Sequence, residues 1–167
     1  MSIAVRILFV ALLLVGVGCD PSLGERRAPH TGGVCGTVPD PGQVIAVIDG
    51  VNYDGGMSTA VNTGGVINIA SENCVDTVAV NFGTTAALGT VTAAQGATAQ
   101  IETSDALGLT GVWIANDFQG SATITVTALS EFDVEGTFSF SAPASGSGAT
   151  GTKVLTGSFK TRYLSTP

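Results

Sequence analysis

Three stretches in the last third of the chain alternate apolar and polar residues with a period of two. They are residues 122–129, 134–142 and 153–163. In the second stretch, Phe138 and Phe140 fall on one side of an extended chain. This alternation predicts antiparallel β-strands with one buried and one exposed face. The other residues expected to point inward are Ile124, Val126, Ala128, Val134, Leu155, Phe159 and Tyr163.

The rest of the chain favours the same fold class. Thr and Val are frequent, which favours strands, and 23 of the 167 residues are Gly, which favours turns. The dipeptide Asp49-Gly50 predicts a β-hairpin, and residues 54–56 predict a second turn. We therefore predict a single all-β domain over residues 43–164. It would be an antiparallel β-sandwich or barrel of about eight or nine strands.

The first 18 residues have the pattern of a signal peptide, with Arg6 followed by an apolar run over residues 7–17. The run is shorter than the roughly 20 apolar residues of a membrane-spanning helix. Gly18 and Cys19 follow it, and they resemble the lipobox of bacterial lipoproteins, in which the cysteine is acylated. We expect lipidation of Cys19, for example with palmitate, and a location in the cell envelope. The alternative is an ordinary secretory signal followed by an incidental cysteine.

Residues 19–42 resemble a flexible tether, because they contain four Pro and little apolar content. Such a tether would hold the domain at the periplasmic or surface face of a bacterial membrane, anchored by lipid.

Three cysteines are present, and lipidation of Cys19 would leave Cys35 and Cys74. In an exported protein this pair predicts a disulfide bond. Free thiols and a two-thiolate metal site are the alternatives, and the second has too few Cys and His ligands for zinc.

Charge and histidine content argue against several function classes. The net charge is −7, and Lys and Arg number six, so no basic patch predicts binding to nucleic acid. His30, the single histidine of the chain, lies in the tether rather than on a rigid scaffold. A Ser-His-Asp or Cys-His arrangement is therefore not expected.

Two clusters of oxygen-bearing side chains are candidates for chemistry. Glu131, Asp133 and Glu135 alternate along one stretch and could supply paired carboxylates for a hydrolase. A solvated strand end is the simpler interpretation of this row.

A second cluster, Asp49, Asn52 and Asp54, has the oxygen ligands that calcium prefers. An Asx turn explains the same residues without metal. The sequence therefore predicts no metal site beyond this weak candidate, and no cofactor.

Trp113 and Tyr53 could stack on sugars or line an apolar pocket. Their alternation with polar residues favours packing in the core.

Four short motifs resemble a domain of unknown function found in small secreted bacterial lipoproteins. They are residues 46–50 (AVIDG), 120–126 (GSATITV), 136–140 (GTFSF) and 155–159 (LTGSF). The resemblance implies an exported all-β lipoprotein. It implies no catalytic residue and no ligand.

We therefore expect a non-catalytic interaction or binding module, whose partner would be a polymer or another protein of the envelope. The alternatives are a β-barrel that carries a small apolar ligand and a hydrolase that uses carboxylates.

Overall fold

The computed structural model describes residues 42–73, 78–105, 108–146 and 148–163. These residues form ten β-strands and a single 3₁₀ turn, Ala93–Gln95, which confirms the all-β prediction. The strand count is one more than the upper figure of the expected eight or nine. The strands are β1 (Gly42–Ile48), β2 (Val51–Thr63), β3 (Val66–Asn73), β4 (Val78–Thr85), β5 (Gly89–Thr92), β6 (Thr98–Asp105), β7 (Gly108–Ala115), β8 (Ser121–Leu129), β9 (Asp133–Pro143) and β10 (Thr152–Arg162).

All ten strands belong to one antiparallel sheet, in the order β5-β8-β9-β10-β1-β2-β3-β4-β6-β7. The sheet is curled into a half-barrel. Its β7 edge reaches the end of β9, where Trp113 and Ala144 form an antiparallel bridge. The amide of Ser145 donates to the carbonyl of Val112 at 2.8 Å. The sequence did not distinguish a sandwich from a barrel, and the structure shows a single curled sheet.

The Asp49-Gly50 turn joins β1 to β2, as predicted. Ile48 pairs directly with Val51, so the turn contains two residues. Both have positive φ, 51° at Asp49 and 84° at Gly50. Two positive φ values give a type I′ turn, whose twist matches that of the flanking strands.

The second predicted turn, at residues 54–56, is wrong, because β2 continues through it to Thr63. The need for glycine here is steric rather than conformational. A Cβ on Gly55 would lie 1.8 Å from the hydroxyl oxygen of Ser71 on the neighbouring strand. The register between β1 and β2 also shifts between Gly42 and Val44, as expected of a bulge.

The period-two prediction for the last three strands is confirmed except at Ala128. Phe138, Phe140 and Phe159 are buried, and Thr137 is exposed. Ala128 is exposed because the register between β8 and β9 shifts between Val126 and Ala128. A one-residue shift moves the following side chain to the other face.

One hydrophobic core fills the buried face of the sheet. Its centre is a group of four phenylalanines contributed by β4, β9 and β10. Ring centroids are 4.9 Å apart for Phe82 and Phe138, 5.2 Å for Phe82 and Phe159, and 5.1 Å for Phe138 and Phe140. These separations are typical of favourable aromatic contacts. Fully buried aliphatic side chains surround the rings, among them Val44, Ile67, Ile69, Val80, Ile101, Ile124, Val134 and Leu155.

Candidate functional site

The outer face of β5, β8, β9 and β10 has two complete cross-strand rows of hydroxyl side chains, which we call the hydroxyl face. Every position in both rows is Thr or Ser, and all eight side chains are exposed or half-buried. Neighbouring strands lie about 4.8 Å apart, and successive outward residues lie about 6.7 Å apart along a strand. The first row is Thr90, Thr125, Thr137 and Ser158, and the second is Thr92, Thr123, Ser139 and Thr156.

The hydroxyl face follows from a repeated local pattern. Each of the four strands contains Thr, one inward residue, and then Thr or Ser. The inward residues are Val91, Ile124, Phe138 and Gly157. Because side chains alternate between faces, each strand presents its two hydroxyls on the outside.

Two glycine–phenylalanine pairs lie between β9 and β10 beneath the hydroxyl face. Gly157 lies opposite Phe138, and Gly136 lies opposite Phe159. A Cβ on Gly157 would lie 2.7 Å from the Phe138 ring and 2.3 Å from the Ile45 carbonyl oxygen. Each ring therefore occupies the space that a side chain would need, and the two strands pack closely.

The hydroxyl face is uncharged. Hydroxyl groups both donate and accept hydrogen bonds, and two of them, on Thr90 and Thr125, are 2.9 Å apart. Ion pairs lie beside the first row, at the next outward positions of β9 and β10. Lys160 pairs with Glu135, and the Arg162 Nε lies 3.4 Å from the Asp133 Oδ1.

Apolar side chains extend both rows on the neighbouring strand. Ser158 pairs with Ile45, and Thr156 pairs with Val47. Ile45 is 50% exposed and Val47 is 38% exposed. The outer surface therefore continues from a hydroxyl grid into a short aliphatic strip.

The three carboxylates that were candidates for hydrolysis are divided between a turn and a strand. Glu131 is exposed in the turn between β8 and β9, whereas Asp133 and Glu135 lie on β9. Asp133 and Glu135 have cationic partners across the strand pair, on β10. The hydrogen bond to Glu135 raises the pKa of Lys160. This geometry is that of cross-strand ion pairs rather than of two carboxylates facing each other over a cleft.

The carboxylate of Asp49 has partners of its own. Its Oδ1 accepts the Val154 amide hydrogen at 2.8 Å, and its Oδ2 accepts from the Lys153 ammonium at 3.2 Å. These contacts, the amide first, lower the pKa of Asp49. Asn52 and Asp54, the other calcium candidates, are exposed on β2. Within the described ranges, no group of three or more His, Cys, Asp and Glu side chains could hold a metal ion.

Trp113 and Tyr53 are buried, so neither forms an exposed stacking platform. Trp113 is 8% exposed, its indole Nε1 donates to the Thr150 carbonyl at 3.1 Å, and the Lys153 ammonium lies 4.6 Å from its ring centroid. The Tyr53 hydroxyl donates to the Ser71 hydroxyl at 3.1 Å. Burial raises the pKa of Tyr53 to about 12. Both residues stabilise the fold.

Cys19, His30, Cys35 and Cys74 lie outside the described residues, so their predicted roles stay predictions. The part of the chain that is described has no helix long and apolar enough to cross a membrane.

No family model matches the chain, and no curated protein or solved structure is significantly similar to it.

The hydroxyl face was not predicted from the sequence. The signal was present in the repeated pattern of Thr, one residue, and Thr or Ser, which the period-two analysis treated as the solvated side of single strands. The pattern does not specify the strand order, in which β5 lies beside β8.

Proposed function

We propose that this chain is a non-catalytic interaction module of a bacterial cell envelope, anchored to a membrane through an acylated Cys19. The signal-peptide pattern of residues 1–18, the Gly18-Cys19 junction and the Pro-containing tether support the anchor. The resemblance of four motifs to small secreted lipoproteins points to the same location. Two acyl chains on one cysteine would hold the protein stably at a bilayer.

The observation that supports an interaction role is the pairing of a filled core with a regular, exposed outer surface. Side chains occupy the buried face, which gives no support to a carrier of an apolar ligand. Asp133 and Glu135 form cross-strand ion pairs with Arg162 and Lys160, and these pairs give no support to a hydrolase. The hydroxyl face lies on four hydrogen-bonded strands, and a binding surface is best placed on such regular elements.

Metabolic labelling with a clickable fatty acid tests the anchor. We expect the wild-type chain to incorporate the label, to fractionate with membranes, and to lose both properties in Cys19→Ser. Cys35→Ser is the matched control, because it also removes a thiol from the tether region, and it should keep the label. Absence of label in the wild type, or equal label in Cys19→Ser, would refute the anchor.

A further inference from the structure

We propose that the hydroxyl face binds a neutral polysaccharide of the cell envelope. This assignment names the partner class of the interaction module proposed above, and it rests on that proposal. The relevant surface consists of the two Thr/Ser rows and the aliphatic residues Ile45 and Val47 that continue them.

Hydrogen bonding is the first reason for this choice. Each hydroxyl can donate one hydrogen bond and accept two, and sugar hydroxyls have the same capacity. The rows repeat at fixed intervals, so a polymer with a repeating hydroxyl pattern can contact several strands in the same way. Each single contact is weak, and the sum over several contacts gives affinity through multivalency.

Charge is the second reason. None of the eight positions is charged, while the chain as a whole has a net charge of −7. An anionic polymer would be repelled by the field of the protein, and a cationic one would find no acidic group in the rows. A neutral polysaccharide is not repelled by the net charge of the protein, and it needs no charged group in the rows.

Surface composition is the third reason, and it argues against a protein partner. Protein interfaces rely on Trp, Tyr and Arg anchors, with Ser and Thr contributing little energy. The two rows contain no such anchor. Ile45 and Val47 instead provide a small apolar surface suited to the C–H faces of sugar rings.

Co-sedimentation of the mature chain with three neutral polymers, chitin, cellulose and an insoluble β-1,3-glucan, tests the proposal. We expect binding to at least one of these polymers, and little change in that binding at high salt because the eight hydroxyl positions are uncharged. Thr137→Lys combined with Thr156→Lys places one charge in each row, and it should reduce affinity by roughly tenfold or more. Both residues are exposed, so the fold should tolerate the change.

Asn68→Lys is the matched control, because Asn68 is exposed on β3, outside the hydroxyl face. Its affinity should equal that of the wild type. Failure to bind all three polymers, equal binding by the double variant, or an equal loss in Asn68→Lys would overturn the proposal. Self-association that the double variant abolishes, without polymer binding, would also overturn it and would assign the face to a second copy.

The test is independent of the lipid anchor. Cys19→Ser should bind the polymer as the wild type does, because the hydroxyl face lies in the folded domain. If labelling shows no acylation while polymer binding persists, the anchor fails and the binding face stands. If acylation is found without polymer binding, the binding face fails and the anchor stands.

Discussion

At the scale of single residues, some side chains near the ends of strands that the sequence suggested were functional have structural roles instead. Asp49 is the clearest case. The sequence offered its carboxylate as a calcium ligand, and the structure uses it to connect the β1–β2 turn to β10 through Val154 and Lys153. The turn geometry could be predicted from Asp49-Gly50, whereas the partners of the carboxylate could not, because they are more than 100 residues away in sequence.

Asp49 should make stability depend on acid. Its folded-state pKa is lowered from the ordinary value of 3.8, so its contribution is present above that pH and is lost as the pH falls through the folded value. The side chain is 42% exposed, so we expect the effect to be under about 1 kcal/mol.

Denaturant melts of the wild type and Asp49→Asn between pH 7 and pH 2 measure this contribution. Asn tolerates the positive φ of the turn and keeps an acceptor for the Val154 amide, so the variant isolates the effect of charge. The stability difference should be largest above about pH 4 and should shrink below it. A difference that stays constant down to pH 2 would contradict the assignment.

At the scale of strands, the inward and outward faces were predictable, and exceptions have local causes. Phe138 and Phe140 point inward and Thr137 points outward, as the alternation predicts. The alternation fails at Ala128, where a bulge shifts the register, and the turn predicted at residues 54–56 is replaced by a continuous strand. Bulges depend on the partner strand, which period-two patterns in one segment do not include.

The register of β9 makes a direct prediction. Phe138→Ala and Phe140→Ala should each cost about 3–5 kcal/mol, because each removes a buried ring and leaves a cavity. Thr137→Ala, on the exposed face of the same strand, should cost under about 1 kcal/mol. Denaturant melts of the three variants provide the comparison. A Thr137 variant as unstable as either Phe variant would show that the register is wrong by one residue.

The predicted disulfide would join Cys35 and Cys74, and the described residues Gly42 and Ser71 lie near these two positions in sequence. Gly42 and Ser71 both pair with Ser58, which places them two strands, or about 10 Å, apart. Cys74 follows Ser71 by three residues, and Cys35 precedes Gly42 by seven. Seven extended residues span up to about 24 Å, which exceeds the separation of Gly42 and Ser71.

Non-reducing mass spectrometry of the mature protein should detect the linked Cys35 and Cys74 peptides. Cys74→Ser should lower the free energy of unfolding by roughly 4 kcal/mol, as the loop-closure treatment gives for a loop of this length. Alkylation of two free thiols before any reduction would refute the bond.

At the scale of the whole molecule, the fold class was predictable and the strand order was not. Period-two segments and turn glycines were sufficient for an all-β antiparallel domain. The sequence could not show that β5 pairs with β8 rather than with β4, or that β10 pairs with β1. These long-range pairings depend on how the whole sheet buries its inner face. The β5–β8 pairing adds the fourth strand to the hydroxyl face, and the β10–β1 pairing places Ile45 and Val47 beside it.

The central claim is therefore the strand order, and cross-strand nuclear Overhauser contacts in the isotope-labelled protein test it most directly. The structure predicts contacts that join Thr90 to Thr125, Thr125 to Thr137, Thr137 to Ser158, and Thr156 to Val47. Together these contacts would place β5, β8, β9, β10 and β1 side by side and assemble the hydroxyl face. Contacts that instead pair β5 with β4 as a local hairpin, with none between Thr90 and Thr125, would contradict the account.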